Sequence, residues 1–332
     1  RGLFLATSQR LGTTLQNVEK DFWVCWTLDA LFHRLKQDRP RLLFKGGTSL
    51  SKSYNLISRF SEDIDITVFR DDIDAKASAE ELEGLSKTAR GKRLDAIKRA
   101  CQSHINGLLL TELSDLARQT MEAAGQDPKR LAVVADPDDN DKQSLLIRYP
   151  SVSESGGYVT PIVKIESGAK SALDPHEART ITPYLAAEMP DGDALAVAGV
   201  TTIDPERTFL DKILILHGLP LFFETNNRFY GSGQVSRHYY DVHRLVGEPV
   251  GKKACFDTPL VEDCIKHARV FFYRKDTGLE DVARGSFHLK PSDGMLDLLR
   301  RDYEAMAVMI FGDVPDFKVV LESVAQAEHW LN

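Results

Sequence analysis

Asp63 and Asp65 stand two positions apart in Ser61-Glu62-Asp63-Ile64-Asp65, at the entry to residues 64–69, which alternate as a strand does. Alternate strand residues share a face, so the two carboxylates can converge on one ion. Hard oxygen donors of this kind suit Mg²⁺, with Mn²⁺ as its nearest substitute. A cation so held neutralises phosphate charge and orients a nucleotide for attack. Upstream, Gly46-Gly47-Thr48 follows the apolar run at residues 42–44. Glycine permits a tight turn and a close approach by phosphate. Backbone N–H groups at Gly46 and Gly47, the Thr48 hydroxyl and a following helix start can cradle a triphosphate. A glycine pair alone is more often an ordinary strand-to-helix turn, and a lone Asp-x-Asp is more often two surface acids. The two in succession, joined by a short helix and ending on an apolar strand, are far more specific.

The elements that must position these groups read as strand (42–44), glycine turn, short helix (49–57) and returning strand (64–69). Before them, residues 17–33 carry apolar side chains at helical spacing, with Asn17 as the expected cap and Glu19 and Lys20 in the first turn. Residues 76–127 read as mainly helical. Strands are expected over 131–134, 144–149, 158–165 and 195–200, the first two flanking the polar turn at 136–141 and the third following Gly156 and Gly157. From residue 205 the pattern turns helical, with a stop at Gly218 and Pro220 and further helices over 235–245, 262–273 and 295–310. The fold class is therefore α/β or α+β. A boundary near residue 203 divides a domain over 1–203, with an N-terminal helix and a helical insertion, from a mainly helical domain over 204–332.

Composition narrows the functional classes. The formal net charge of −7 argues against a wholly basic nucleic-acid coat, but leaves room for local basic segments at 39–45, 87–98 and 252–253. Four cysteines without a CxxC pair fit a reducing, cytoplasmic compartment. No run approaches a membrane span, so no membrane partner is expected. The first residues lack the apolar stretch of a secretory signal, and an opening on Arg1 leads us to expect further residues upstream.

The run LLFKGGTSLSKSYNLISRFSEDIDITVF resembles the first motif of the AbiEii/AbiGii toxin family, in the DNA-polymerase-β-like nucleotidyltransferase superfamily. The resemblance continues at Lys164-Ile165-Glu166, at Asp211-Lys212, at Arg237-His238-Tyr239-Tyr240-Asp241 and at the early helix from Glu19 to Val24. Two positions depart from the pattern: Asp211 replaces the commoner Glu, and His238 stands where the first acid of its motif is usual.

The resemblance implies a nucleotidyltransferase core with a mixed sheet. It implies Glu166 as the third carboxylate, joining Asp63 and Asp65 on the metal or activating the attacking hydroxyl. It favours Lys52 and Lys212 as catalytic cations. Lys164 would face a neighbouring phosphate or only solvent, and Arg237 would offer phosphate a planar fork. Asp241 would orient Lys212, Arg237 or the acceptor, or make only an intrahelical ion pair. His238 reads as a supporting polar residue. The implied reaction moves an NMP from an NTP to an acceptor hydroxyl. RNA, with the tRNA 3′ end foremost, is the implied acceptor, and the implied setting is a toxin–antitoxin or phage-defence system with a cognate antitoxin. Protein nucleotidylation, a degenerate nucleotide- or RNA-binding regulatory module, and a metal-dependent nuclease are the alternatives.

Overall fold

The structure is a computed structural model describing residues 1–36, 38–152, 160–230 and 233–332. Two compact units are present: Arg1–Ser53 with Phe60–Ile203, and Tyr54–Arg59 with Asp204–Asn332. Of the strand expected over 158–165, Tyr158 and Val159 lie outside the described residues, as do Gly156 and Gly157.

The first unit opens on α1 (Gly2–Leu11) and α2 (Leu15–Asp29). The cap of α2 is Thr14, not Asn17: the Thr14 hydroxyl accepts from the Asn17 N–H at 3.2 Å. Threonine offers the same kind of acceptor oxygen as asparagine, so the helix starts earlier than the sequence pattern suggests. Glu19, Lys20 and Asp21 consequently lie inside the helix, and all three are buried.

β1 (Leu42–Lys45) runs directly into α3 (Gly46–Lys52), and β2 (Ile64–Val68) returns antiparallel to β1. α3 begins at the glycines and ends at Lys52, short of the expected 57, and Asn55 beyond it has a left-handed φ of 53°. The helical stretch after β2 is α4 (Ala79–Glu83), α5 (Lys87–His104) and α6 (Leu110–Ala123), the last two joined by a wide turn at Ile105–Leu109. Then come β3 (Ala132–Ala135), β4 (Ser144–Arg148), β5 (Ile162–Gly168), β6 (His176–Ile181) and β7 (Val197–Ile203).

These strands form one mixed sheet in the order β3-β4-β5-β2-β1-β7-β6. β2 lies parallel to β5 and β1 parallel to β7, while the remaining pairs are antiparallel. Ile64, Ile66, Val163 and Ile165 are fully buried on one face. The strand period then turns Asp65, Lys164 and Glu166 to the other face. β6 was not foreseen because its sequence, HEARTI, is mostly polar; it is an edge strand, where such residues are tolerated.

In the second unit α7 (Pro205–Asn226) is followed by α8 (Ser236–Val246), α9 (Pro249–Phe256), α10 (Thr258–Phe271), α11 (Leu296–Met306) and α12 (Phe317–Leu331). The expected stop at Gly218 and Pro220 is overruled, and α7 runs through both to a left-handed Asn227. Burial outweighs the local signal here, since Ile213, Leu216, Leu219, Phe222 and Phe223 all sit in the core. Gly218 is needed for packing, because a Cβ there would stand 2.9 Å from the Thr277 Cβ. The fold class is the expected one, a mixed α/β sheet followed by mainly helical sequence.

Candidate active site

The acids meet across the middle of the sheet. Asp65 on β2 is the register partner of Glu166 on β5, and on its other side of Lys45 on β1. In-register neighbours share a face and lie one strand spacing apart. Asp63, two residues before Asp65, precedes β2. Burial raises the Asp63 proton affinity to a pKa of about 6; the negative charges of Glu166, Glu62 and Asp65 add to the rise, and Lys20 opposes it. The repulsion shows that these carboxylates feel one another.

The glycine turn fits closely against this row. Gly46 has a left-handed φ of 80°, and a Cβ on it would lie 2.0 Å from Asp65 Oδ2. A side chain there would displace the Asp65 carboxylate and strain the backbone, so glycine is what lets the turn lie against the acid. Thr48 does not offer its hydroxyl to a phosphate. It is buried, donates to the Asp63 backbone carbonyl and shares a 2.8 Å hydrogen bond with the Ser61 hydroxyl. The glycine-threonine motif thus holds the backbone that carries Asp63.

Lys52 is corrected more sharply. Its ammonium is 2.6 Å from Asp21 Oδ1, donates to the Thr182 carbonyl at 2.9 Å and lies 3.7 Å from the Tyr184 ring centroid. The pair is enclosed, with 4% and 3% side-chain exposure. Burial disfavours the Lys52 charge, but Asp21, Cys25 and Tyr184 outweigh it and raise its proton affinity. Lys52 ties α3 to α2 and is closed off from a triphosphate. Sequence spacing showed a cation near the glycine turn, but not that Asp21 waits opposite.

The buried charges of α2 were the main omission. Lys20 pairs with Glu62, beside Asp63. Glu19 accepts from the Ser151 hydroxyl at 2.8 Å and the Val152 N–H at 2.6 Å. Asp21 also accepts from the Tyr184 N–H at 2.7 Å. The three consecutive charged residues Glu19, Lys20 and Asp21, running into the apolar stretch that follows, were the available signal.

The remaining candidates belong to the second unit. Asp241, on α8, is wholly buried. It accepts from Arg59 Nε at 2.7 Å and Nη2 at 2.8 Å, and from Lys212 Nζ on α7 at 2.8 Å. Burial works against its charge, yet Arg59 and Lys212 hold the carboxyl well below its ordinary range. Burial pulls Lys212 down, with Asp241 opposing. Asp241 is therefore enclosed and held by two protein cations. Its partner Arg59, in the RFSEDID run, was missed by sequence reading. Arg237 is half-buried nearby on α8, and His238 is kept uncharged by burial and by the cations Lys212 and Arg237. Asp211 is half-exposed and 3.7 Å from Arg207.

The donor chemistry of Asp63, Asp65 and Glu166 fits a hard divalent cation: three carboxylates on one sheet region, with repulsion that a cation would relieve. Among the described residues no three His, Cys, Asp or Glu side chains already stand together as an ion site. Asp65 and Glu166 instead each face a lysine, Lys45 and Lys164 respectively.

The family model described as "Nucleotidyl transferase AbiEii toxin, Type IV TA system" matches residues 29–327. The chain belongs to this family. An AbiEii nucleotidyltransferase is an enzyme, and the family consists of toxins of type IV toxin–antitoxin systems. The match includes Gly46 through Asp65, Glu166, Lys212 and Asp241, but begins after the buried charges of α2. No curated relative matches the sequence. Among solved structures, the nucleotidyltransferase toxin MenT4 of Mycobacterium tuberculosis H37Rv is similar, with 16% identity, a TM-score of 0.46, and coverage of 99% of this chain and 98% of that one. Among the described residues no helix is long and apolar enough to cross a membrane.

Proposed function

We propose that this AbiEii-family toxin moves an NMP from an NTP to an acceptor hydroxyl with a divalent cation, Mg²⁺ or Mn²⁺, held by Asp63, Asp65 and Glu166. The single observation that carries this reading is the cross-strand meeting of Asp65 and Glu166 beside Asp63, whose proton affinity burial and then these charges raise. When bound, the cation would neutralise triphosphate charge and orient the α-phosphate.

The chain's own residues supply alignment. Gly46 lets the turn lie against Asp65, and Thr48 fixes the Asp63 backbone. Glu166, at 44% more exposed than Asp65 at 28%, is assigned to the acceptor hydroxyl and its proton. The hydroxyl oxygen bonds to the α-phosphorus, the bond to the bridging oxygen breaks, and pyrophosphate leaves. In the second unit Asp241 and Arg59 orient Lys212 as a fixed cation, while Arg237 is assigned to a phosphate of the acceptor.

We assign nucleotidyl transfer to residues 1–203 as one domain and regard 204–332 as a mainly helical second domain. The acceptor is cellular RNA, the tRNA 3′ end foremost, and the setting is the cytoplasm, with an antitoxin as partner and phage defence as the wider role. Family membership supports the toxin class; the acceptor rests on the sequence resemblance alone.

The test is incubation of the protein with total RNA, total protein, Mg²⁺ and each α-labelled NTP in turn. Label at an RNA 3′ end, lost in Asp63→Asn/Asp65→Asn, is the expected result. Label on protein alone reassigns the acceptor, and shortened RNA without incorporation reassigns the reaction to hydrolysis. Transfer that persists in the folded double variant removes the acids from the site.

A further inference from the structure

The acid row is closed at both ends by lysine. Lys45 ends β1 as the register partner of Asp65, and its Nζ stands 3.7 Å from Asp65 Oδ1. Across Asp65, Glu166 is met by Lys164 Nζ at 2.9 Å, which also lies 3.3 Å from Asp136 Oδ2. Lys164 and Glu166 are two apart on β5 and therefore share a face. Unlike the enclosed Lys52–Asp21 pair, these pairs meet solvent: Lys45 and Asp65 are each 28% exposed and Lys164 is 32% exposed. Solvent-facing ion pairs are weak and exchange readily.

Two carboxylates on adjacent strands repel one another, and a lysine against each relieves part of that cost. A dication with carboxylate ligands would take over the same duty more completely. The ammonium groups would then stand charged beside the place where the polyanionic triphosphate must lie. We propose that Lys45 and Lys164 are placeholder cations: each holds one carboxylate of the acid row until a divalent ion arrives, and is then released toward the phosphates. This rests on the metal-dependent reading of the site. Lys45 was not among the site residues expected from sequence, and no motif position assigns it a role.

The proposal makes metal and nucleotide respond with opposite signs. Removing either lysine lifts competition for its carboxylate, so metal alone should bind more tightly. It also removes a phosphate contact, so nucleotide should bind less tightly. A lysine that merely supports the fold would weaken both. The experiment titrates Mn²⁺, followed by the electron paramagnetic resonance of the free ion, into wild type, Lys45→Met, Lys164→Met, Lys45→Arg and Asp63→Asn/Asp65→Asn. Each titration is run without nucleotide and with a non-hydrolysable NTP, and thermal melts verify folding.

Without nucleotide, Lys45→Met and Lys164→Met should bind Mn²⁺ about three- to tenfold more tightly, the effect of deleting a half-exposed competing charge. Their apparent affinity for the NTP analogue should fall by a similar factor. Lys45→Arg, which keeps the charge, should stay near wild type in both. Mn²⁺ binding that is unchanged or weaker in both methionine variants, while wild type binds and the double aspartate variant does not, overturns the placeholder role and leaves the metal site standing. Mn²⁺ binding that is the same in wild type and the double aspartate variant overturns the site reading and this inference with it.

Discussion

Asp63 and Asp241 are the same residue type under opposite electrostatics. Burial raises the proton affinity of half-buried Asp63, the charges of Glu166, Glu62 and Asp65 add to the rise, and Lys20 opposes it. Asp241 is sealed in the second unit with two cations and three charge-assisted hydrogen bonds, and its proton affinity falls. A carboxylate whose charge is left unbalanced at a half-open position has something to gain from a ligand. One already satisfied on every side has only something to lose. Family resemblance implies both as catalytic residues, but their surroundings differ: acids flank Asp63, and two protein cations hold Asp241.

The largest effect that this contrast predicts is on transfer. Asp63→Asn with Asp65→Asn should lower label incorporation by about 10³-fold or more, the scale of losing a group that stabilises charge in the transition state. The same variant should fold with no loss of thermal midpoint, since it removes repelling charges. Incorporation near wild type in a folded double variant ends the assignment.

Asp241→Ala should do the reverse, acting first on stability. It leaves Arg59 and Lys212 buried without their counter-charge, a change that costs about 3–5 kcal/mol in comparable buried pairs. Chemical denaturation reads it directly. A variant with wild-type stability and no transfer would return Asp241 to direct catalysis.

The placement of Asp63, Asp65 and Gly46 was legible in the sequence, because it depends on local order. A strand period places alternate acids on one face, and a glycine pair before a helix marks a turn. The sealed cluster around Asp241 was less so. Arg59 and Asp241 lie far apart in sequence, and the sequence offers Lys212, Arg237 or an intrahelical pair to Asp241 but not Arg59; the contact with Lys212 is present at 2.8 Å. Lys52 failed for the same reason: its partner Asp21 comes from a helix read by its apolar face alone. The helix stop at Gly218 and Pro220 failed because a local breaker signal was weighed without the burial that carries α7 past it. Where a residue's partner is a neighbour in sequence, pattern suffices; where long-range packing supplies it, pattern gives the residue but not its task.

Gly46→Ala sharpens the point at smaller cost. Its Cβ would meet Asp65 Oδ2 at 2.0 Å, and the left-handed φ of 80° adds strain. A left-handed alanine costs about 1–2 kcal/mol, and displacement of the Asp65 carboxylate should lower transfer about tenfold or more, as small misplacements in active sites do. Full activity at unchanged stability would show that the turn can shift without disturbing the acid.

The smallest effect is the one that reads the contrast most directly, through pH. The folded protein holds the Asp63 proton up to about pH 6, whereas an unfolded aspartate releases it near about pH 4. Between those values the folded state binds more protons than the unfolded one, so this group's contribution to stability falls as pH rises through the window. Asp241 has the opposite sign: its depressed folded value contributes stability that is present above the unfolded value and lost as pH falls below it. In chelator, Asp63→Asn should therefore gain on wild type, by on the order of 1 kcal/mol after allowing for solvent screening, between about pH 4 and pH 7. Thermal midpoints across that range, compared at each pH, measure it, and added Mn²⁺ should reverse the order by stabilising only the wild type. A difference between the two proteins that stays flat from acid to neutral pH would mean that Asp63 carries no unrelieved charge, and the distinction between the two aspartates would collapse to one of burial alone.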